Sequence, residues 1–181
     1  MVHMRWRVET KLGFKTSSHC KKPGFNEREE CMKWIVLAGS SNTRKTWTLT
    51  EVVIALVKAY GAQLISPSQL PIPHPPRPPN IWPYYNDDTY ELKFRGKLII
   101  IKTDGDMPST VNEGFKVGSG RNADILISAT RARSQSWHIK TIDSKIRSKS
   151  AEVFVLAALD HAPATMSAIV AWRVQQIIDM L

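Results

Sequence analysis

The stretch Trp34-Ile35-Val36-Leu37-Ala38-Gly39-Ser40-Ser41-Asn42-Thr43-Arg44-Lys45-Thr46 decides how the rest of the chain is read. An unbroken apolar run stops abruptly at small polar residues. That pattern belongs to a parallel strand buried on both faces and leading into a tight loop. Beyond the loop the period changes. Leu49, Val52, Val53, Leu56, Val57 and Tyr60 recur at steps of three and four residues. This spacing predicts an amphipathic helix over 46–60, stopped by Gly61.

Outward from this unit the strand pattern recurs. Residues 97–103 form a second apolar run that ends at Asp104-Gly105-Asp106, and residues 124–130 predict a third buried strand, followed by Arg131-Ala132-Arg133. Pro108 and Ser109 suit a helix start, so a helix is expected over about 108–118. Residues 90–96 alternate and predict an edge strand. Residues 152–159 are apolar and predict a further strand. At the end of the chain Met166, Ile169, Val170, Val174, Ile177, Ile178 and Leu181 keep helical spacing, which predicts an amphipathic helix packed on the sheet. In the basic stretch 134–150, His138, Ile139, Ile142 and Ile146 fit one helix or a strand pair. Strands alternating with helices give an α/β fold with a mainly parallel sheet flanked by helices.

Two segments stand apart from that body, which is assigned to 34–181. Residues 1–33 carry eight Lys and Arg against four Glu with no sustained period, and read as a basic N-terminal arm. The insertion at about 67–89 holds eight prolines between Pro67 and Pro83. Proline fixes its own dihedral and lacks a backbone donor, so this segment is neither helix nor central strand, and an extended excursion is expected. Trp82, Tyr84 and Tyr85 follow the prolines, either to anchor the excursion to the body or to stack on a base or acceptor.

Composition narrows the class. With 181 residues, 43% hydrophobic and 23% charged, the chain is built as an ordinary globular domain. No apolar run approaches the roughly 18–20 residues of a membrane span. The basic Met1–Arg7 segment has no apolar stretch behind it, so no secretory signal is read there. Cys20 and Cys31 are too few for a disulfide framework and lack metal-site spacing, so reduced thiols and a cytoplasmic location are expected. A net charge of +9 favours anionic partners. Nucleotides are one class; nucleic acid is another, through the basic segments 1–33 and 131–149, the latter with Trp137 for stacking. No G-x-S-x-G occurs, and no G-x-G-x-x-G follows a strand, which removes serine-hydrolase and Rossmann readings.

Gly39 through Thr46 fits the phosphate-binding pattern G-x-x-x-x-G-K-[ST] in its proper setting between strand and helix. In such a loop the backbone N–H groups of Gly39, Ser40, Ser41, Asn42, Thr43, Arg44, Lys45 and Thr46 form a nest for anions at a helix N-terminus. Lys45 reaches the terminal phosphates and the Thr46 hydroxyl binds Mg2+. There is one departure. Arg44 occupies the second glycine position, where the chain bends tightly, and a side chain there either clashes or needs an unfavourable dihedral.

On these residues the chain resembles the P-loop nucleoside triphosphatase superfamily over about residues 34–131, with a Walker A-like loop altered at Arg44. Through Thr46-Trp47-Thr48-Leu49, Thr103-Asp104-Gly105-Asp106 and Ser128-Ala129-Thr130-Arg131 it is most similar to small bacterial and phage-borne ATP-binding proteins. The resemblance implies a three-layer sandwich, ATP and Mg2+ as cofactors, and phosphoryl transfer as an ATPase or as a small-molecule or nucleotide kinase. ATP is preferred to GTP because no Asn-Lys-x-Asp guanine signature occurs. An acid at the end of an apolar strand is the superfamily's second hallmark. Asp104 and Asp106 are therefore candidate metal ligands, with Asp104 nearer the strand end. Lys45, Asp104 and Arg131 form the candidate catalytic set, Arg131 clamping phosphate or stabilising transition-state charge. The rival expectation is a catalytically degenerate loop that binds phosphate, nucleotide or nucleic acid.

Overall fold

The computed structural model describes residues 32–40, 43–76, 84–105, 108–131, 142, 144, 151–158 and 165–181. Most of the basic arm and most of the 131–149 segment, Trp137 included, lie outside the described residues, as do Ser41, Asn42, Trp82 and Asp106.

The first apolar run forms strand β1, Met32–Gly39, which begins two residues before the boundary assigned to the arm. Trp34, Ile35, Val36 and Leu37 are all fully buried, as a strand covered on both faces requires. Helix α1, Lys45–Lys58, follows. It ends where Gly61 turns left-handed at φ +72° and the Ala62 N–H reaches back to the Leu56 carbonyl at 2.9 Å. That geometry satisfies the last carbonyls of the helix. Short strand β2, Gln63–Ser66, precedes the proline-rich excursion. Strands β3, Thr89–Phe94, and β4, Lys97–Lys102, form a hairpin whose two turn residues, Arg95 and Gly96, both have positive φ. Helix α2, Pro108–Gly120, leads to β5, Ile125–Arg131; β6, Ala151–Ala158, and helix α3, Met166–Ile178, complete the chain.

The architecture is α/β, with one six-stranded, mostly parallel sheet in the order β2-β3-β4-β5-β1-β6 and three helices among the described residues. Strands β4, β5, β1 and β6 run parallel, while β2 and β3 add antiparallel pairs on one side. The expected edge strand at 90–96 is therefore second from the edge, because β2 covers it. The Gln-Leu-Ile-Ser run is short and largely exposed, so its sequence carries no alternation to announce it.

Side-chain alternation divides the core in two. Ile35 and Leu37 of β1 join Leu49, Val52, Val53 and Leu56 of α1 and Val170, Val174, Ile177 and Ile178 of α3 on one face. Trp34 and Val36 join Val111 and Phe115 of α2, with Ile142, on the other. The helices thus lie on both faces of the sheet. Each fully buried Leu or Val side chain contributes roughly 1.5–3 kcal/mol. Trp34 buries its ring against Phe115, with centroids 5.2 Å apart, and its Nε1 donates to Ser128 Oγ at 2.9 Å, so its polar atom is satisfied inside the core. No helix among the described residues is long and apolar enough to cross a membrane.

Candidate functional site

Strands β1, β4 and β5 all end at the same margin of the sheet, with β5 between the other two. From β1 the chain travels to the far side of β5, returns through β4 and β5, and then crosses to β6 beyond β1. The ends of parallel strands at such a reversal of direction are where open α/β sheets hold ligands. A cleft of about 260 Å3 lies there. Its floor is Arg44, Lys45, Thr46 and Trp47, at the start of α1. One wall is Tyr84, Tyr85 and Asp87; the other is Thr103, Asp104 and Gly105, with Ala129 of β5.

Two close approaches fix this margin. A Cβ built on Gly39 would sit 2.6 Å from the Ala158 carbonyl oxygen and 2.6 Å from Thr43 Oγ1, so β6 and the loop leave no room for a side chain. A Cβ on Gly105 would sit 2.0 Å from the Ala129 carbonyl oxygen, so the chain leaving β4 rests directly on the backbone of β5.

The loop then turns into α1 through Arg44, which adopts φ 59° and ψ 31°. This is the left-handed conformation that glycine enters without penalty. The arginine has not abolished the bend that the phosphate-loop pattern needs; it makes the bend at the cost of strain. The Arg44 carbonyl accepts from the Thr48 N–H at 2.9 Å and from Thr48 Oγ1 at 3.0 Å, which starts the helix. The first turn of α1 has no acidic residue, so nothing on the helix itself neutralises its positive end.

Lys45 is buried, and its Nζ donates to the Ser40 carbonyl at 2.7 Å and the Gly39 carbonyl at 3.2 Å, with Thr43 Oγ1 at 3.5 Å. Thr43 Oγ1 donates to the Ser40 carbonyl at 2.9 Å. Thr46 Oγ1 lies 3.0 Å from Asp87 Oδ1 and 3.3 Å from the Thr103 carbonyl. Asp104 reaches the cleft, and its Oδ1 lies 3.0 Å from Lys102 Nζ, a charge contact too poorly directed to count as a hydrogen bond. Lys102 in turn lies 3.5 Å from Glu113 Oε2. Arg131 closes β5 beside Gly39 in the strand register but is not among the residues that line the cleft. The geometry thus brings together Lys45, Thr46, Arg44 and Asp104.

Sequence reasoning missed Asp87 and underweighted Tyr84 and Tyr85. They arrive on the far limb of the proline-rich excursion. His74 and Tyr84 pair through their backbones and stack their rings 4.8 Å apart. The Asp88 N–H donates to Thr103 Oγ1 at 2.8 Å, and the Thr103 N–H donates to the Asp88 carbonyl at 3.0 Å, which fastens this limb to the end of β4. Glu51 Oε1 accepts from Tyr85 Oη at 2.8 Å and from Trp47 Nε1 at 3.2 Å. Burial first, and then the Glu51 hydrogen bond, push the Tyr85 phenol well above its ordinary pKa, so it stays protonated. The tyrosines therefore both anchor the excursion and form a wall of the cleft. The signal available in the sequence was Tyr84-Tyr85-Asn86-Asp87-Asp88 immediately before a strand.

The oxygen set of Thr46, Asp87 and Asp104 suits a hard cation such as Mg2+, which commonly takes one or two carboxylates and completes its shell with phosphate and water. Among the described residues no group of three or more His, Cys, Asp and Glu forms a metal cage. No protein-family model, curated protein or solved structure matches this chain.

Proposed function

We propose that the chain is a cytoplasmic P-loop protein that binds ATP with Mg2+ in the cleft at 44–47 and uses it for phosphoryl transfer, by hydrolysis or onto a small acceptor. The observation that carries this reading is the pairing of two chemistries in one cleft. A left-handed loop exit with Lys45 and Arg44 sits at a helix N-terminus whose own first turn carries no acid, and the aromatic side chains of Trp47, Tyr84 and Tyr85 line the same cleft. A ligand with a charged tail and a planar ring matches both halves, and nucleotides have that form. The basic net charge supports a second, nucleic-acid partner class.

The chain's own residues would act as follows. The N–H groups at the start of α1, in a loop that carries two cations, bind the phosphates and hold them in one orientation. The Thr46 hydroxyl and the carboxylates of Asp104 and Asp87 would hold Mg2+. When bound, the ion neutralises phosphate charge that builds up during transfer. The aromatic wall orients the ring and keeps water from that side.

One observation favours a second reading, a module that binds without turnover. Asp104, the preferred acid, is engaged by Lys102 rather than turned to Thr46. Thermal-shift titration with Mg-ATP, Mg-GTP and phosphate tests both. A nucleotide at about 100 times its dissociation constant adds about 2.7 kcal/mol of stability. A shift with ATP that Lys45→Ala removes is the expected result, and the absence of a shift with every nucleotide refutes the proposal. Release of phosphate from bound ATP separates the enzyme from the binding module.

A further inference from the structure

We propose that Arg44, in place of a glycine, is the side chain that grips the phosphate chain of the ligand, and that Lys45 serves instead as the internal strut of the loop. This rests on the nucleotide-site reading above and refines it.

The charges in the cleft assign these roles. Lys45 Nζ is turned into the loop and donates to the Ser40 and Gly39 carbonyls, with its side chain buried. A buried ammonium hydrogen-bonded to carbonyls is satisfied where it is, and withdrawing it leaves those carbonyls without their donor. Lys102 is likewise engaged, by Asp104 and Glu113. Arg44 differs. Its side chain lines the cleft, and its Nε is shielded from solvent with no hydrogen-bond partner. A shielded guanidinium N–H without an acceptor is costly, so the side chain gains by turning further into the cleft, where a phosphate oxygen would satisfy it. Guanidinium also matches two phosphate oxygens at once, which an ammonium does not.

Backbone strain points the same way. A non-glycine residue held left-handed persists where the surroundings impose it, and such strain clusters at ligand clamps. Arg95 shares the conformation, but a two-residue hairpin turn accounts for it, and its guanidinium covers the Phe94 ring at 4.7 Å. No turn of that kind accounts for Arg44, which sits at the mouth of the cleft.

Titration calorimetry with inorganic tripolyphosphate and with ATP, on the wild type, Arg44→Gly, Arg44→Lys and Lys45→Ala, tests the assignment, alongside the melting temperature of each without ligand. Arg44→Gly should melt higher than the wild type yet bind tripolyphosphate about tenfold or more weakly, the scale of a lost charge-assisted hydrogen bond. Arg44→Lys should fall between them. Lys45→Ala should melt lower without ligand, as the loss of a strut requires. If Arg44→Gly binds as tightly as the wild type, Arg44 is not the grip and the inference fails. If Lys45→Ala loses affinity with no loss of melting temperature, Lys45 is the direct contact, and the inference falls while the nucleotide reading stands. If the wild type binds neither ligand, both fall.

Discussion

Replacing Arg44 by alanine and, separately, by glycine isolates the strain in the loop. Both variants remove the guanidinium, so their difference reports on the backbone alone. Alanine keeps a Cβ at φ 59°, ψ 31° and glycine does not. The left-handed conformation costs a residue with a Cβ about 1–2 kcal/mol. Glycine's greater freedom in the unfolded chain offsets about 0.5–1 kcal/mol of that. Arg44→Gly should therefore be more stable than Arg44→Ala by about 0.5–1 kcal/mol, or about 1–4 °C in melting temperature for a chain of this size. The sign is the informative part, because inside a helix glycine is the worse residue by nearly the same amount. Urea unfolding of the two variants without ligand gives the difference directly. If Arg44→Ala proves as stable as Arg44→Gly, or more so, the backbone at 44 is not held left-handed and the geometric match to a phosphate loop is lost.

Other expectations follow from the same margin of the sheet. Gly105→Ala places a methyl against the Ala129 carbonyl and should lower stability by about 1–3 kcal/mol or more, read from the urea midpoint. An unchanged midpoint would contradict the close approach of β4 to β5. Lys102→Met leaves the Asp104 carboxylate without its cation and should enlarge the thermal shift produced by Mg2+; equal shifts in both proteins would show that Asp104 does not turn to the metal. Burial holds the Tyr85 and Tyr90 phenols protonated, Tyr90 up to about 12. Unfolded tyrosines ionise near pH 10, so this contribution to stability is fully present below about pH 10 and is lost as pH rises towards the folded values. Phenolate absorbance followed with the urea midpoint checks it, and a flat midpoint across that range argues against buried phenols.

The central sheet was legible because its signal is local. Trp34–Ala38, Leu98–Ile101 and Ile125–Ile127 are apolar without a break, as strands covered on both faces must be. The same holds for α1, where Leu49, Val52, Val53 and Leu56 write the helical period. The need for a special dihedral at 44 was also legible from the loop pattern. Strand β2 was not, because exposed side chains leave no pattern. The wall of the cleft was hidden for a different reason. Asp87 meets Thr46 only through a proline-rich excursion fastened by Asp88 and Thr103, and nothing in the spacing of the chain encodes where such a limb lands. Asp104 lines the cleft, but its contact with Lys102 depends on two side chains leaving the same strand end, which the sequence leaves open.

The contact between Gly39 and Ala158 gives the loop a history as well as a shape. During synthesis, residues 39–46 emerge long before β6 exists, and until it docks one flank of β1 has no partner. Residues 39–46 acquire their flank from β6 only with that late, long-range pairing, which waits until the intervening chain is closed into place. The final shape of this loop therefore arrives with the completed sheet rather than with the local sequence. A nascent chain that carries every residue of the loop would still lack its β6 flank, and if the loop binds nucleotide as proposed, ligand capture would report that the sheet had closed.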